Sequence, residues 1–201
     1  MWRKQMEQNQ IKAEDIYSRE DYLTKRPQIR KEIVSRKKRR RVDVGPYVTL
    51  YFENRDTIIH QINEMVFIEN GGVDQIREEI DAYKSLIPNG KELIATVMVE
   101  IDSPLKRSEV LSKMGGFEET FTIKVGDKII EGKAELDVDR TTADGKASSV
   151  QFVHFNFNEE DIKNFKDDNF NVELSINHRE YSHSTLLQFD TKSELSGDFF
   201  I

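Results

Sequence analysis

The spacing of apolar residues changes at Asn54, and the change predicts a strand followed by a helix. Before Asn54, apolar and polar residues alternate, and this period of two predicts a strand over Tyr47–Glu53. After it, apolar residues recur at the spacing of one helical stripe, which predicts a helix over Thr57–Glu69 with this buried side: Ile58, Ile62, Met65 and Val66. Asn54 is a suitable N-cap, and Gly71-Gly72 is expected to end the helix.

The segments on either side of this strand and helix also favour regular structure. The sequence from Ile11 to Arg41 is rich in helix-forming residues but contains Pro27, so two short helices are expected there. Further along, helical spacing predicts a helix over Val73–Ile87, and a nearly continuous apolar run predicts a buried strand over Leu93–Ile101. Ser103-Pro104 is a typical helix start.

Strand patterns dominate the second half of the chain. A hairpin is predicted to turn at Gly126-Asp127. Later strands are predicted over Ser148–Phe157, Phe170–His178 and Thr185–Phe189. A short helix capped by Asn158 is predicted between the first two of these strands. Alternation in the second range places His178 on the buried face. The polar stretch 137–146 contains several aspartates, but their spacing does not match a calcium-binding EF-hand, and a solvated loop is expected.

Helices early in the chain and strands later predict an α+β fold. We expect a largely antiparallel sheet with packed helices and an N-terminal helical arm. The simplest division is a basic helical arm over residues 1–46 and a single α+β domain over residues 47–201.

Composition narrows the class of protein. The chain has 201 residues, of which 37% are hydrophobic, and no apolar run approaches the roughly 20 residues that cross a bilayer. Because the first ten residues are polar and unlike a signal peptide, we expect a soluble, cytoplasmic protein without membrane association. Cysteine is absent, which excludes disulfides, thiol nucleophiles and a cysteine-ligated iron–sulfur cluster.

Charge is distributed unevenly along the chain. Residues 1–46 carry 14 basic and 7 acidic side chains, a balance of +7, whereas the complete chain has a net charge of −7. The densest basic run supplies candidate anion-binding residues: Lys37, Lys38, Arg39, Arg40 and Arg41. The alternative is a solvated helix end, where cations suit the negative end of the dipole. An acidic protein with no aromatic residues interleaved in the run argues against nucleic acid as the partner.

The signatures of common enzyme classes are missing. The sequence contains no Walker-type loop, dinucleotide-binding fingerprint, nucleophile elbow or HExxH motif. This favours a protein without enzymatic activity, although it does not exclude an enzyme.

Four segments carry a resemblance to a known family: RRVDVGPYVTLYFENRDTIIHQINEM, EIDAYKSLIPNGKELIATVMVEI, SSVQFVHFNF and NHREYSH. In order and spacing they resemble, over about residues 12–190, a bacterial family known only as a domain of unknown function. Genes of that family often lie beside a rubrerythrin and a heterodisulfide-reductase-type iron–sulfur protein, so the resemblance implies a link to peroxide or redox metabolism. This sequence departs from the family pattern at Gln151, where a His is common, and at Arg179, where a Pro usually follows the His.

The polar pattern of the family falls here on a set of ligand-binding or interaction candidates: Glu53, Arg55, Thr57, Gln61, Glu64, Glu69 and Tyr181, with His178 and His183. Carboxylates and imidazoles suit Fe, Mn or Zn, so a divalent metal could be held by four of the candidates: Glu53, Glu64, His178 and His183. Their spacing is not diagnostic, and the alternative is a buried network of ion pairs and hydrogen bonds.

Three functional hypotheses follow. The first is an accessory or interaction protein of a redox or peroxide-stress system, with a rubrerythrin-like or iron–sulfur protein as partner. The second is a metal-binding protein or metal-dependent enzyme, and the third is an anion or nucleic-acid binder that uses the basic arm. We also expect the Thr57, Gln61 and Glu64 stripe to face the N-terminal arm or a cleft, so that Glu64→Ala would change stability by less than about 1 kcal/mol.

Overall fold

The core of the molecule is one antiparallel sheet of eight strands. The structure, a computed structural model, describes residues 9–135 and 145–200. Its strands are β1 (Arg41–Val44), β2 (Val48–Glu53), β3 (Glu92–Val99), β4 (Phe121–Val125), β5 (Lys128–Ala134), β6 (Val150–Asn156), β7 (Val172–His178) and β8 (Tyr181–Leu186). They are arranged in the order β1-β2-β3-β6-β5-β4-β7-β8, and every neighbouring pair is antiparallel.

The described residues also form six α-helices. These are α1 (Arg19–Arg39), α2 (Arg55–Glu69), α3 (Val73–Tyr83), α4 (Pro104–Leu111), α5 (Glu159–Lys166) and α6 (Phe189–Ser196). The predicted α+β class with a largely antiparallel sheet and packed helices is therefore confirmed. No helix in the described ranges is both long enough and apolar enough to cross a bilayer.

The sheet curls until its first and last strands face each other across a seam. The Tyr181 hydroxyl donates to the Val44 carbonyl (2.7 Å) and accepts from the amides of Tyr47 (3.0 Å) and Val48 (3.2 Å). The Thr185 hydroxyl donates to the Asp43 carbonyl (2.8 Å). Side chains, rather than a backbone ladder, thus join β8 to the β1–β2 hairpin. The apolar faces of all eight strands enclose one core, and the sheet resembles a barrel.

Helices and aromatic side chains fill the ends of this barrel. Next to α5 and α6, three phenylalanines pack edge to face, with ring centroids 4.9–5.7 Å apart: Phe157, Phe165 and Phe199. After α4, Met114 and Phe117 join the same core. The Phe199 side chain, near the C-terminal end of the described chain, is buried in this cluster.

Helix α2 covers the outer face of the sheet. Asn54 and Thr57 cap each other reciprocally: the Asn54 side chain accepts from the Thr57 amide (3.0 Å), and the Thr57 hydroxyl accepts from the Asn54 amide (2.9 Å). Three of the four predicted stripe residues pack in a second core against β3 and the loops before α1 and β3: Ile58, Ile62 and Val66 with Ile94, Leu86, Ile11 and Ile16. The fourth, Met65, is only half-buried and lies outside this core. The helix ends at the left-handed Asn70 (φ 58°) instead of at the predicted glycines.

The N-terminal segment differs from its prediction in two ways. Instead of two helices broken at Pro27, the chain forms the single 21-residue helix α1. The last residues of the predicted arm, Arg41–Val44, are strand β1 of the sheet, so the sheet begins before the boundary drawn at residue 46.

The C-terminal segment also differs. The predicted last strand over Thr185–Phe189 is wrong in its position, because β8 spans Tyr181–Leu186 and pairs with β7 in a tight hairpin. The sequence did not predict α6, which begins at Phe189. Most of the predicted polar loop 137–146 lies outside the described residues.

Candidate functional site

A cleft of about 330 Å³ lies between α2 and the outer face of the sheet. Strands β2, β3 and β6 form its floor, α2 forms one wall, and residues of α1, α3 and the turn after α3 complete it. Its lining combines polar and apolar side chains: Lys37, Tyr51, Glu53, Thr57, Ile58, Gln61, Tyr83, Leu86, Thr96, Met98, Val150 and Phe152. The predicted candidates Glu53, Thr57 and Gln61 therefore share one cleft, as the stripe on α2 led us to expect.

Glu53 is the buried acid of this cleft. Alternation along β2 places it on the outer face of the sheet, opposite Ile94 of β3, and the residue is only 8% exposed. Its Oε1 accepts a hydrogen bond from the Thr96 hydroxyl (2.7 Å), and its Oε2 accepts one from the Thr57 hydroxyl. No lysine, arginine or histidine of the described ranges forms an ion pair with this carboxylate.

Glu64 lies on α2, about one turn after Gln61, and faces α1 instead of the cleft. Arg26 donates two hydrogen bonds to its carboxylate, both at 2.8 Å, and the Tyr22 hydroxyl donates a third, also at 2.8 Å. The bonds from Arg26 lower the pKa of Glu64 to about 2. Burial raises the pKa of Tyr22 and lowers that of the adjacent His60. This cluster joins α1 to α2, and it agrees with the prediction that the stripe would face the N-terminal arm.

Two further candidates make separate local contacts. Arg55, in the first turn of α2, pairs with Asp15 (2.7 Å) and holds the segment before α1. Glu69, in the last turn, accepts a hydrogen bond from Gln75 of α3 (2.5 Å). Neither side chain lines the cleft of Glu53.

The remaining candidates lie at the barrel seam and the adjoining β7–β8 turn. Tyr181 forms the seam contacts described above, and the His183 ring packs against the Tyr181 ring with centroids 4.5 Å apart. His178 is buried, as predicted, and its Nε2 lies 3.3 Å from the Gly115 carbonyl oxygen.

The four residues predicted to bind a metal therefore occupy three different environments. Glu53 is in the cleft, Glu64 is in the cluster on α1, and the two histidines are on the β7–β8 hairpin. Within residues 9–135 and 145–200, no group of three or more histidines and carboxylates is arranged to hold a metal ion. The geometry gives the divalent-metal hypothesis no assembled site.

The basic run is largely neutralised by the protein's own acids. Arg36 pairs with Asp56, Arg39 with Glu194 (3.0 Å) and Arg41 with Asp43 (2.9 Å). Arg40 is 1% exposed and pairs with Asp198, and it also donates to the carbonyls of Phe52 (2.9 Å) and Glu53 (3.1 Å). Arg40 thus ties the end of α1 to β2 and to the chain after α6, and it is not available to an external anion.

The outward face of α1 is a surface that sequence reasoning did not identify. One stripe at helical spacing is exposed along its length: Leu23, Pro27, Arg30 and Val34, flanked by Lys31 and Lys38. Leu23 is 63% exposed and Val34 is 55% exposed. None of the three cations on this face forms an ion pair with the rest of the described chain. The helical spacing of these residues is visible in the sequence, but the sequence does not reveal which side of α1 packs against the protein and which side is exposed.

Gln151 is buried inside the barrel. Its Nε2 donates to the Ser148 carbonyl (3.2 Å), and its Oε1 has no hydrogen-bond partner among the described residues.

Comparison with known proteins gives the family but no activity. A crystal structure of a protein of unknown function from Burkholderia pseudomallei is similar to this chain at 28% identity and a TM-score of 0.88, over 94% of this chain and 99% of that one. No curated protein matches the chain. The family model described as "Protein of unknown function (DUF3501)" matches residues 10–199. The chain therefore belongs to this family of proteins of unknown function.

Proposed function

We propose that the protein is a non-enzymatic interaction protein that binds an acidic partner protein through the outward face of α1. The observation that carries the proposal is the exposed stripe of Leu23, Arg30 and Val34 flanked by Lys31 and Lys38. Such a mixture of apolar contact area and unpaired positive charge is suited to a protein surface.

The charge of α1 supports an acidic partner. The helix contains nine basic and three acidic residues, whereas the complete chain has a net charge of −7. Arg26, Arg36 and Arg39 are paired with acids of the same chain, whereas Arg30, Lys31 and Lys38 on the outward face form no ion pair among the described residues. Complementary charge would orient an acidic partner on this face and raise the association rate.

A phosphate polymer is less well suited to this surface. Three residues of the basic run, Arg39, Arg40 and Arg41, and the preceding Arg36 are held by carboxylates of the protein itself. The cations that remain are interrupted by exposed aliphatic side chains, which contact protein surfaces better than they contact a phosphate backbone.

The partner class follows from the family resemblance alone. The resemblance implies a redox or peroxide-stress setting, so the first partners to test are a rubrerythrin-like protein and a heterodisulfide-reductase-type iron–sulfur protein. In this setting the protein acts as an accessory subunit, and its partner supplies the metal and the chemistry.

Co-purification with charge-reversed variants tests the proposal. The full chain should retain the partner, whereas the triple variant Arg30→Glu, Lys31→Glu, Lys38→Glu should bind about tenfold more weakly or worse. The matched control reverses three exposed cations elsewhere, Lys124→Glu, Lys128→Glu and Lys163→Glu, and should bind like the wild type. No partner at about micromolar concentration in reducing and oxidising buffers, or equal binding by both triple variants, would overturn the proposal.

A further inference from the structure

We propose that the cleft beside α2 binds a small organic monocation, a primary ammonium group carried on an apolar body. This ligand site is distinct from the proposed partner surface, because none of the partner-face residues of α1 lines the cleft between α2 and the sheet. The inference rests on one buried carboxylate, the apolar walls around it, and the positive charge at the edge of the cleft.

The Glu53 carboxylate has hydrogen bonds but no counter-charge. The hydroxyls of Thr57 and Thr96 donate one hydrogen bond to each oxygen. An ionised carboxylate accepts about four hydrogen bonds, so acceptor capacity remains on both oxygens. A buried carboxylate is unfavourable unless a cation compensates it, and the described residues supply no ion-pair partner within 4.0 Å. An ammonium ligand would supply both the charge and the missing donors.

The walls of the cleft are suited to a hydrocarbon body. Ile58, Leu86, Met98 and Phe152 contribute apolar surface around the carboxylate. The volume of about 330 Å³ lies at the small end of the range typical of ligand pockets. Tyr83 also lines the cleft, and aromatic rings attract cations through their faces.

Lys37 limits how much positive charge the cleft can accept. It lies on α1, lines the cleft and forms no ion pair in the described part of the chain. Like charges repel in a partly buried site, so a diamine would be disfavoured relative to a monoamine of similar size. The ligand class is therefore a monoamine with an aromatic or branched apolar group.

A purely structural role for Glu53 makes a different prediction. In that case the carboxylate only holds Thr57 of α2 against Thr96 of β3, and the cleft has no preference between a charged and a neutral ligand of the same shape. A matched pair of probes separates the two explanations, namely 2-phenylethylamine and the neutral 2-phenylethanol.

The experiment measures the affinity of both probes by titration, with amide chemical shifts locating the binding site. We expect the wild type to bind the amine at least about tenfold more tightly than the alcohol, with shifts at Ile58, Thr96 and Phe152. Glu53→Gln, which keeps the size of the side chain, should abolish this preference. The matched control Glu160→Gln, an exposed acid outside the cleft, should keep it.

Several results would overturn the proposal. They are equal affinity for the two probes, no amine binding by the wild type at about millimolar concentration, shifts located elsewhere, and an unchanged preference in Glu53→Gln. The comparison of amine and alcohol on the wild type needs no substitution, so the proposal stays falsifiable even if Glu53→Gln fails to fold. Loss of partner binding in the α1 triple variant leaves this outcome unaffected, so the two proposals fail separately.

Discussion

Two glutamates, one just before α2 and one within it, show how strongly the environment decides what a side chain does. Glu64 receives three hydrogen bonds, two of them from the Arg26 guanidinium, and is neutralised inside the protein. Glu53 receives bonds only from two neutral hydroxyls and borders a cleft. The same residue type thus serves as a structural tie between helices in one case and as a candidate ligand contact in the other.

The pKa of Glu64 predicts how its contribution to stability depends on pH. The folded-state pKa of about 2 lies below the ordinary value of 4.5, so the stabilisation is complete above about pH 4.5 and is lost as the pH falls through about 2. We expect Glu64→Gln to unfold more easily than the wild type near neutral pH. The difference in the free energy of unfolding between the wild type and Glu64→Gln should decrease steadily from about pH 4.5 to pH 2.

Urea unfolding at a series of pH values measures this difference, and Glu160→Gln is the matched control. Glu160 is exposed and forms no ion pair in the described ranges. A difference for Glu64→Gln that does not change with pH would contradict the assignment. A solvated stripe implied that Glu64→Ala would change stability by less than about 1 kcal/mol. Since the Glu64 side chain is only 17% exposed and is paired, we expect this substitution to lower the free energy of unfolding by more than about 1 kcal/mol.

At the scale of elements, α1 remains one helix despite an internal proline. Pro27 has no amide hydrogen and cannot bond to the Leu23 carbonyl, which costs about 3 kcal/mol in a helix interior. Contacts on both sides of the proline hold the helix together: Tyr22 and Arg26 before it bond to Glu64, and Ile33 and Arg36 after it are packed or paired. Pro27 itself is exposed, so its ring meets no neighbouring element.

We expect Pro27→Ala to raise the free energy of unfolding by about 1–3 kcal/mol, because it restores a backbone hydrogen bond and a helix-favouring residue. Thermal and urea denaturation would measure the change. The neighbouring Gln28→Ala should shift stability by only a few tenths of a kcal/mol. Unchanged or lower stability in Pro27→Ala would mean that α1 requires the bend that a proline favours.

How far the elements could be predicted depends on the strength of the local signal. The N-cap Asn54 and the apolar stripe of α2 are local signals, and the cap and three of the four predicted stripe residues, Ile58, Ile62 and Val66, are confirmed. Strand β1 was missed because its four residues follow a basic helix end, and only pairing with β2 makes them a strand. Helix α6 was missed because its N-cap, Gln188, makes no side-chain capping bond, and few of its residues are apolar.

At the scale of the whole molecule, the sequence could nominate site residues but could not say which ones meet. Glu53, Thr57 and Gln61 lie within nine residues and share a cleft, since one strand end and one helix turn carry all three. Thr96 and Phe152 complete that cleft from strands paired in a register that no short pattern reveals. Strand pairing also places His178 and His183 on the β7–β8 hairpin, away from this cleft, and no short sequence pattern reveals that pairing.

Tyr181 affects the whole molecule, because its hydroxyl joins the last strand of the sheet to the first hairpin and so closes the barrel. Tyr181→Phe should lower the free energy of unfolding by about 2–4 kcal/mol, since it removes the three hydrogen bonds that the hydroxyl forms with the β1–β2 hairpin. Hydrogen exchange at the amides of Tyr47 and Val48 should accelerate more than elsewhere. Tyr17→Phe is the control, because the Tyr17 hydroxyl forms no hydrogen bond in the described structure. Equal protection of the two amides in wild type and Tyr181→Phe would exclude this role.

The seam also has a consequence for the order of events in folding. Its hydrogen bonds join residues 133 to 142 positions apart in the chain, whereas the β1–β2 and β7–β8 hairpins form from immediate neighbours. Because closing a long loop costs entropy before any contact compensates it, the two end hairpins form first and meet last. Contacts made after the rate-limiting step change the unfolding rate and hardly affect the folding rate. We therefore expect the barrel to begin unfolding at the seam, and the hydrogen bonds of the seam to determine its unfolding rate.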